Sequence, residues 1–329
     1  MQPQHTADTR QPIAAIDVGS NTIHLVVGVA HGEHNDRLEV RKDALEFVRL
    51  GAGVGNGGRI APDRFERGLT VLKRLRALAT QAGAQAILCA ATEVMRKAAN
   101  GPEFLARAKT DLGLDISVIS GEQEASLTFW GATSDRALGQ EEPVAVADLG
   151  GGSMELVLGL GQRLTWRRSV PLGSGTMHDR FIQSDPPTPD EIAALRSDVS
   201  SFLNTLDLPE QTQQAGLLIV CGGTATTLLT FSQHALGIPP TQTSLSRAEV
   251  EQGIATLLTY PAEEIARRYS VEAPRAQILS AGAAVLLELM PRLSVEQMEI
   301  SRRGIREGMI LSHARHGSAW LDAAERGAW

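Results

Sequence analysis

The chain carries the stretch VADLGGGSMELVLG at residues 146–159 and a closely similar stretch, AAIDVGSNTIHLVVG, at residues 14–28. The two align without a gap at three chemically important pairs, which are Asp17 with Asp148, Thr22 with Ser153, and His24 with Glu155. Each copy is an apolar run that ends in aspartate, then a glycine turn, then a second apolar run. This is the pattern of two strands joined by a tight turn, and its recurrence indicates an internal duplication.

The segments that surround the two copies follow the same order. After the first copy begins, apolar runs predict three strands, then a helix that starts at Pro62, a strand in AQAILCAAT, a helix, a strand in LDISVIS and a helix in GEQEASLTFWGA. After the second copy begins, three strands again precede a helix in TPDEIAALRSDVSSFL, a strand in GLLIVCGG and further helices. The sequence therefore predicts a duplicated α/β fold.

The polar stretch ATSDRALGQEE predicts where the halves divide. We expect one domain over residues 1–134 and a second over 135–329, with a C-terminal helix from about residue 304 packing back on the first domain. In such an arrangement the two glycine turns are expected to face one another across an interdomain cleft and to grip one ligand from both sides.

Composition places the chain among soluble globular proteins. It has 329 residues, 43% of them hydrophobic and 21% charged, and no apolar run approaches the roughly 20 residues that span a bilayer. The polar start lacks the apolar segment of a signal peptide. Cys89 and Cys221 lie in apolar runs and are expected to be buried thiols, which favours a reducing cytoplasm. The lack of a long apolar run predicts no membrane partner.

The net charge of −7 would repel a polyanion on average, so we expect no nucleic-acid partner. An anionic ligand would need a local basic surface instead. The candidates are Arg163, Arg167 and Arg168, then Arg302, Arg303 and Arg306, and the pair Arg96 and Lys97. Scattered solvated charges are the simpler interpretation of any one of these clusters.

The paired glycine turns are typical of a phosphate cradle. Glycine lets backbone N–H groups approach an anion closely, and short polar side chains add further donors. A single turn of this kind is common in any hairpin, whereas two copies, each after an aspartate, favour function. The predicted phosphate-binding residues of the turns are Gly19, Ser20, Asn21, Thr22, Gly150, Gly151, Gly152 and Ser153.

Acidic side chains beside a phosphate would be repelled unless a cation lay between them. Asp148, Glu155 and Asp17 are therefore candidate ligands of Mg²⁺, directly or through water, because hard oxygen donors suit that ion. For Asp17 the alternative role is a hydrogen bond to the backbone of its own turn. The histidines lack metal-ligand spacing and are interpreted as structural.

Two further segments attract attention. In VCGGTATTLLTF an apolar strand runs into Gly222, Gly223 and Thr224 and then a helix, which would present helix N-terminal amides to an anion. In SGEQEASL, Glu122 and Glu124 begin a helix, where acidic residues also favour the helix dipole. A glutamate there could alternatively serve as the base of a hydrolytic reaction.

Six motifs in this order resemble the exopolyphosphatase / guanosine pentaphosphate phosphohydrolase family: AAIDVGSNTIHLVV, AATEVMRKAAN, VISGEQEASLTFWGA, VADLGGGSMELVLG, CGGTATTL and RRGIREGMI. The resemblance spans about Ile13 to Ile310. It implies duplicated actin-like (ribonuclease H-like) domains of the sugar kinase, actin and chaperone ATPase superfamily. The chain ends soon after the last motif, so it resembles the short two-domain form.

The resemblance implies Mg²⁺-dependent hydrolysis, with Mn²⁺ as a possible substitute. By this match Glu124 is the water-activating base and Arg96 clamps the terminal phosphoryl group. The expected substrate is inorganic polyphosphate, and the alternative within the family is guanosine pentaphosphate, pppGpp. A sugar-type kinase and a non-catalytic nucleotide or polyphosphate sensor stay as more distant alternatives. We expect a homodimer.

Overall fold

The fold is described from a computed structural model, which covers residues 11–55, 58–209 and 215–328. The chain divides into two compact units. The first comprises the residues up to Ser120 together with Met309–Asp322, and the second comprises Gly121–Gly308 and the segment from Ala323 onward.

The first unit is built on a five-stranded sheet with the strand order β3-β2-β1-β4-β5. Its strands are β1 (Ile13–Val18), β2 (Thr22–His31), β3 (Arg37–Phe47), β4 (Ala86–Ala91) and β5 (Ser117–Val118). The strands β1, β2 and β3 pair antiparallel, whereas β4 joins β1 and β5 in parallel. The buried residues of β1 and β2 form the centre of the apolar core of this unit.

The helices of the first unit connect the parallel strands. They are α1 (Pro62–Gln81), α2 (Glu93–Lys97) and α3 (Gly101–Leu112). Pro62 occupies the first turn of α1, where its missing N–H costs nothing, and the apolar positions of α1 recur on one buried face. Phe65 of α1 meets Phe104 of α3 edge to face, with ring centroids 5.1 Å apart. This contact joins the two helices over the sheet.

The second unit repeats this plan in a six-stranded sheet with the order β10-β11-β9-β6-β7-β8. Its strands are β6 (Pro143–Leu149), β7 (Met154–Leu160), β8 (Arg163–Val170), β9 (Leu217–Cys221), β10 (Ser244–Ser246) and β11 (Gln297–Ile300). Three antiparallel strands, β6 to β8, are again extended by two parallel ones, β9 and β11, and β10 is an antiparallel addition at the edge.

The remaining helices are α4 (Gly121–Thr133), α5 (Ser174–Phe181), α6 (Pro189–Asn204), α7 (Gly222–Ala235), α8 (Arg247–Leu257), α9 (Ala262–Tyr269), α10 (Ala273–Arg292), α11 (Ile305–His316) and α12 (Trp320–Arg326). The start of α6 is a capping box, in which Thr188 and Glu191 satisfy each other's backbone N–H groups. Buried residues of α10 run through the apolar core of the second unit. No helix in the described residues is long and apolar enough to cross a bilayer.

The duplication extends to local irregularities of the sheets. The pairing of β2 with β3 shifts register between Val27 and Gly28, and that of β7 with β8 shifts between Leu158 and Gly159. These are equivalent positions in the two copies. At Gly159 a Cβ atom would collide with the ring of Phe129, so the bulge and the helix packing require glycine there. The predicted duplicated α/β class is confirmed.

Three details differ from the sequence-based expectation. The helix α4 groups with the second unit, whereas the sequence placed the boundary after it, at residue 134; the limits of independently folding domains stay a prediction. The fifth strand is two residues long, although the apolar run LDISVIS predicted a longer one. The short helix α2 was missed because five residues carry too little helical periodicity.

The segment Met309–Asp322 is tied to the β2–β3 turn of its own unit. Asn35 Nδ2 donates to the Ala314 carbonyl at 3.1 Å, and Arg315 Nε donates to the His34 carbonyl at 2.9 Å. These long-range bonds explain why residues from the end of the chain group with the first unit.

Candidate functional site

The first glycine turn is held by the loop that follows β3. Gly19 N donates to Thr22 O at 3.0 Å and closes the turn, while Ser20 O accepts from Gly51 N at 2.8 Å. Asn21 O accepts from the amides of Val48 and Arg49 at 3.0 and 2.9 Å. Since the C=O and N–H of a trans peptide point in opposite directions, the amides of Asn21 and Thr22 point away from that loop.

The second glycine turn has the same closure. Gly150 N donates to Ser153 O, also at 3.0 Å. Its carbonyls are bound by the first turn of α5. Ser174 N donates to Gly150 O at 2.9 Å, and Thr176 donates to Gly151 O through its amide and to Gly152 O through its hydroxyl, both at 3.0 Å.

This anchoring orients the second turn as an anion cradle. With three successive carbonyls directed to α5, the amides of Gly151, Gly152 and Ser153 point away from that helix. A Cβ atom at Gly173 would clash with the backbone of the turn, at the carbonyl carbon of Gly152. The turn and the start of α5 are therefore in close contact. Successive amides on one side of a turn form the kind of nest that binds anions.

The start of α7 lies beside this second turn. Gly222 has φ +90, and a Cβ there would approach an Asp148 oxygen at 2.5 Å. The hydroxyl of Thr224, 6% exposed, lies 3.0 Å from that of Ser174, whose own Oγ also reaches Gly150 O at 3.1 Å. The predicted segment 222–224 therefore adjoins the residues 150–153 through α5.

Arg275, on α10, is a residue of this region that sequence reasoning missed. Its guanidinium lies where a Cβ on Gly223 would be, at the N-terminal end of α7. Burial lowers the pKa of Arg275, with Glu272 opposing that effect. A desolvated guanidinium beside helix N-terminal amides favours an anion. No local pattern could have revealed it, because 52 residues separate Arg275 from Gly223 in the numbering.

Two carboxylates stand side by side below the second turn. Asp148 and Glu155 are direct partners across β6 and β7, and directly opposed residues of antiparallel strands project to the same face. Glu155 is 2% exposed, and its Oε1 accepts hydrogen bonds from Ser153 Oγ at 2.8 Å and Ser169 Oγ at 2.7 Å. The pair thus forms part of a row across the sheet that is anchored by hydroxyl groups.

The surroundings of Asp148 disfavour its charge. Burial raises the pKa of Asp148 above its ordinary value, and the nearby Glu307 adds to this. The charge of Arg306 and a hydrogen bond from Thr128 Oγ1, 3.4 Å from Asp148 Oδ2, act in the opposite direction. A cation bound at this carboxylate would offset the loss of solvation.

The available side chains suit a metal ion that takes only some of its ligands from the protein. Among the residues that the structure describes, no group of three or more histidine, cysteine, aspartate or glutamate side chains is placed to hold a metal. Mg²⁺ commonly takes one or two carboxylates and completes its shell with water and phosphate oxygens. Asp148 with Glu155 fits that description.

Asp17 belongs to a chemically different setting in the first unit. Its direct partner across β1 and β2 is His24, which stands where the second unit has Glu155. The Nε2 of His24 lies 2.6 Å from Asp43 Oδ1. The two copies therefore share a backbone turn, but only the second has the carboxylate pair.

Glu124 lies on the face of α4 that covers the carboxylate row. Residues 121, 124 and 128 share one side of a helix. Gly121 packs directly against the Cβ of Ser169, and Thr128 Oγ1 reaches Asp148. Glu124 lies between these two contact points on the same side of the helix and is half-buried.

Arg96 lies on the short helix α2 of the first unit and is anchored at its own guanidinium. One of its Nη atoms donates to the Ile119 carbonyl, just after β5. The neighbouring Lys97 pairs instead with Glu93 at 2.6 Å, one helical turn away. The two adjacent cations therefore have different environments, and Arg96 is the one tied to the end of the sheet.

Much of the predicted basic surface is engaged within the second unit. Arg167, with a side chain 12% exposed, donates to Ser126 Oγ at 2.8 Å and lies 3.6 Å from Glu122, which also pairs with Arg168. Arg303 pairs with Asp135. These ion pairs limit how much of the candidate basic surface is open to an anionic ligand.

Cys89 and Cys221 are both buried, as the apolar runs predicted. Burial raises the pKa of each thiol, and the charges of Asp17 and Asp148 respectively add to the effect. Both side chains are therefore held as neutral thiols.

Comparison with known proteins points to one group. The model of the Ppx/GppA phosphatase family matches residues 31–316. Exopolyphosphatase 2 of Mycobacterium tuberculosis is 32% identical over 321 residues, which cover 92% of this chain and 98% of that protein. Exopolyphosphatase 1 of Mycobacterium bovis is 28% identical, over 91% of this chain and 87% of its own length.

Solved structures agree with the sequence matches. The PPX-GPPA enzyme of Aquifex aeolicus superposes with a TM-score of 0.78 at 28% identity, over 92% of this chain and 99% of the other. An exopolyphosphatase from Cytophaga hutchinsonii, at 24% identity, shares the fold with a TM-score of 0.78, over 95% of this chain and 98% of that one. The family is generally metal-dependent.

Proposed function

Because the chain belongs to the Ppx/GppA phosphatase family, we propose that it is an exopolyphosphatase, which removes the terminal phosphate of inorganic polyphosphate by hydrolysis. The observation that carries the proposal is the second glycine turn, with amides oriented by α5 next to the Asp148–Glu155 pair. An anion cradle beside paired carboxylates suits a phosphate ester or anhydride brought together with a cation.

The two glycine turns and the start of α7 hold phosphate oxygens in this proposal. The amides that point away from their anchors donate, namely those of Asn21, Thr22, Gly151, Gly152 and Ser153, together with the amides at the start of α7, while Gly19 N and Gly150 N close the turns. The hydroxyl of Ser153 donates to Glu155 and that of Thr224 pairs with Ser174, so both hydroxyls position the site. Asp148 and Glu155 hold Mg²⁺, or Mn²⁺ in its place, and we propose Asp17 as a third acidic residue that acts directly or through water. When bound, the metal ion supplies charge neutralisation at the phosphate oxygens.

Glu124 acts on the nucleophile. Its carboxylate accepts a proton from the attacking water as the water oxygen bonds to the terminal phosphorus. The bridging P–O bond breaks, and its electron pair leaves on the shortened polyphosphate. Orthophosphate is the second product, and the developing charge is stabilised by the amides of the glycine turns.

Arg96 clamps the terminal phosphoryl group in this scheme. Its guanidinium is already oriented by the Ile119 carbonyl, and a planar fork donates two parallel hydrogen bonds to phosphate oxygens.

Replacement Arg96→Lys is expected to lower kcat/KM roughly 10- to 100-fold, because a point charge cannot reproduce the two-bond grip. Lys97→Arg is the matched control, since it exchanges the same two residue types one position along and Lys97 faces Glu93. Steady-state phosphate release measures both variants. Equal kinetics for Arg96→Lys and the parent protein would show that Arg96 is an ordinary surface cation.

Replacement Gly223→Ala is expected to weaken substrate binding roughly tenfold, about 1.4 kcal/mol. The added methyl group would displace the Arg275 guanidinium from the start of α7. Gly253→Ala is the control, because a Cβ there meets its nearest atom at an ordinary 3.6 Å. The KM for polyphosphate is measured for both, and an unchanged KM in Gly223→Ala would remove this segment from the phosphate site.

The proposal is tested by phosphate release from polyphosphates of graded length, pppGpp and ATP, measured side by side with Mg²⁺. The variant Glu124→Gln serves as the blank for contaminating phosphatases. Polyphosphate is expected to be the preferred substrate. Preference for pppGpp would identify the family's other activity, and no release from any of the three would favour a sensor.

Catalytic efficiency is expected to level off at short chains, on the order of ten phosphates or fewer by counting cation contacts. The ion pairs of Arg167, Arg168 and Arg303 leave few cations to extend the grip. A quenched time course on long, uniform polyphosphate should show intermediates of every length. If uncut chains coexist with fully degraded ones and no intermediates appear, the enzyme is processive and this prediction is wrong.

A further inference from the structure

One oxygen of Glu155 accepts two hydrogen bonds from serine hydroxyls. Ser153 Oγ donates to Glu155 Oε1 at 2.8 Å, and Ser169 Oγ donates to the same atom at 2.7 Å. Both distances are typical of good O–H···O hydrogen bonds. We call Ser153 and Ser169 the serine pair. Together they fix the orientation of this carboxylate.

The two hydroxyls reach Glu155 from different elements. Ser153 belongs to the glycine turn and lies two residues before Glu155, which places both side chains on one face of the extended chain. Ser169 is on β8 and is the direct partner of Glu155 across β7 and β8. Glu155 is 2% exposed, so bulk water has little access with which to replace either donor.

Ser169 is itself placed by the packing of α4. A Cβ atom at Gly121, the first residue of α4, would lie 2.5 Å from the Ser169 Cβ. The strand and the helix therefore approach closely at Ser169. Because Ser169 is exposed, the apolar core does not require a serine at this position.

The first unit lacks this arrangement, although it repeats the strand plan. His24 stands where the second unit has Glu155, and its direct partner on β3 is Leu45, as Ser169 is the partner of Glu155 on β8. The fold of the copy is thus compatible with an apolar residue at the position of Ser169. The hydroxyl occurs in the copy that has the glutamate, which indicates a role tied to that carboxylate.

The serine pair limits how Glu155 can bind a cation. Each oxygen of a carboxylate has two lone pairs, and two hydrogen bonds at Oε1 use both of them. A cation at Glu155 would therefore be bound through Oε2 alone. At Asp148 a longer contact acts in the same sense, since Thr128 Oγ1 lies 3.4 Å from Oδ2.

Divalent cations differ in their need for the second oxygen. Ca²⁺ takes roughly six to eight oxygen ligands and readily uses both oxygens of one carboxylate. Mg²⁺ requires a near-octahedral shell at about 2.0–2.1 Å and usually combines one or two carboxylates with water. Occupation of Oε1 thus removes a ligand from Ca²⁺ and none from Mg²⁺.

We propose that the serine pair makes the metal site prefer Mg²⁺ to Ca²⁺, and that Ser169 is a positioning residue that sets this preference through Glu155. Without the Ser169 hydroxyl, Oε1 regains a lone pair and the carboxylate can rotate to offer both oxygens. This inference rests on the proposed function, because it takes Asp148 and Glu155 as the residues that hold the metal ion.

The test measures metal binding by the full chain without substrate. The midpoint of thermal unfolding is followed during titration with MgCl₂ and, separately, with CaCl₂ at constant ionic strength, because a ligand of the folded state raises the midpoint according to its Kd. The parent protein is expected to bind Mg²⁺ more tightly than Ca²⁺. In Ser169→Ala the ratio of the Ca²⁺ Kd to the Mg²⁺ Kd is expected to fall about tenfold, a usual effect of removing the hydrogen-bond partner of a metal ligand.

Two further variants separate the hydroxyl from other effects. Thr165→Val removes a hydroxyl from the same strand, where Thr165 Oγ1 donates to the Leu158 carbonyl at 3.0 Å, and should leave the ratio unchanged. Ser169→Thr keeps the hydroxyl and should keep the ratio of the parent protein. In phosphate release, the Mg²⁺ concentration for half-maximal rate should follow the Mg²⁺ Kd in every variant.

An unchanged ratio in Ser169→Ala overturns the proposal, as does a parent protein that binds Ca²⁺ as tightly as Mg²⁺ or whose midpoint neither ion raises. Equal changes in Ser169→Ala and Thr165→Val would mean a general disturbance of β8. Loss of the preference in Ser169→Thr would assign the effect to crowding against Gly121. Either result also refutes the role of the hydroxyl.

The proposed hydrolysis is judged separately, by phosphate release from the parent protein. If the ratio changes as expected but the parent protein releases no phosphate, the metal preference stands and the proposed reaction fails. If phosphate is released and the ratio does not change, the reaction stands and the role of Ser169 fails.

Discussion

Glu124→Gln is expected to lower the turnover of polyphosphate roughly 10²- to 10⁴-fold while substrate binding is largely kept. Glutamine has the shape of glutamate but cannot take the proton of the attacking water. Glu124 is half-buried on the side of α4 from which Thr128 contacts Asp148. Steady-state phosphate release gives the turnover, and titration with polyphosphate gives the affinity.

The matched control is Glu122→Gln, two positions earlier on the same helix. Glu122 is exposed and pairs with Arg167 and Arg168 at 3.6 and 3.5 Å. Since exposed ion pairs contribute little, this variant should keep turnover within about threefold of the parent. Comparable losses in both variants would mean that α4 has been disturbed, and unchanged turnover in Glu124→Gln would remove Glu124 from catalysis.

Asp148→Asn is expected to change activity and stability in opposite directions. Loss of the carboxylate should reduce turnover roughly 10²-fold or more if Asp148 holds the proposed metal ion, because charge neutralisation by such an ion is worth several kcal/mol. The same change removes a charge that burial disfavours. The metal-free variant should therefore unfold at a higher temperature than the parent, by roughly 2–4 °C for each kcal/mol gained.

The effect of Asp148→Asn on the free energy of unfolding should depend on pH, because the pKa of Asp148 is raised in the folded protein. A carboxyl whose pKa is raised in the folded state destabilises the fold once the unfolded chain ionises. The destabilisation is absent below the ordinary pKa of aspartate, grows as the pH rises toward the raised pKa, and is then constant. The stability advantage of Asp148→Asn should thus be full near neutral pH and vanish in acid.

Thermal unfolding in chelator at several pH values tests the stability of Asp148→Asn. Asp115→Asn is the control, because the Asp115 side chain is 82% exposed and its replacement should leave the unfolding temperature nearly unchanged. A lower unfolding temperature for Asp148→Asn at neutral pH would show that Arg306 and Thr128 stabilise the carboxylate more than burial disfavours it.

The sequence was sufficient for the plan of the fold because the relevant patterns are local. Alternating and helical apolar periods fix strands and helices, and the repeat of residues 14–28 at 146–159 reveals the duplication. The shared turn closure, Gly19 N to Thr22 O and Gly150 N to Ser153 O, follows from that repeat. Short elements such as α2 and β5 were missed or overextended because few residues carry their signal.

The features of the site also separate into those that local sequence patterns predict and those that depend on tertiary contacts. The sequence by itself determined the glycine turns, the acidic pair Asp148 and Glu155, and the family, since each depends on residue types at close spacing. Only the tertiary structure decided that α5 orients the second cradle and that Arg275 stands at the start of α7. It also decided that Arg167 forms an ion pair with Glu122 and that Arg303 forms one with Asp135. These contacts join residues far apart in the chain, and their partners are chosen by how helices pack on the sheet, which no local pattern records.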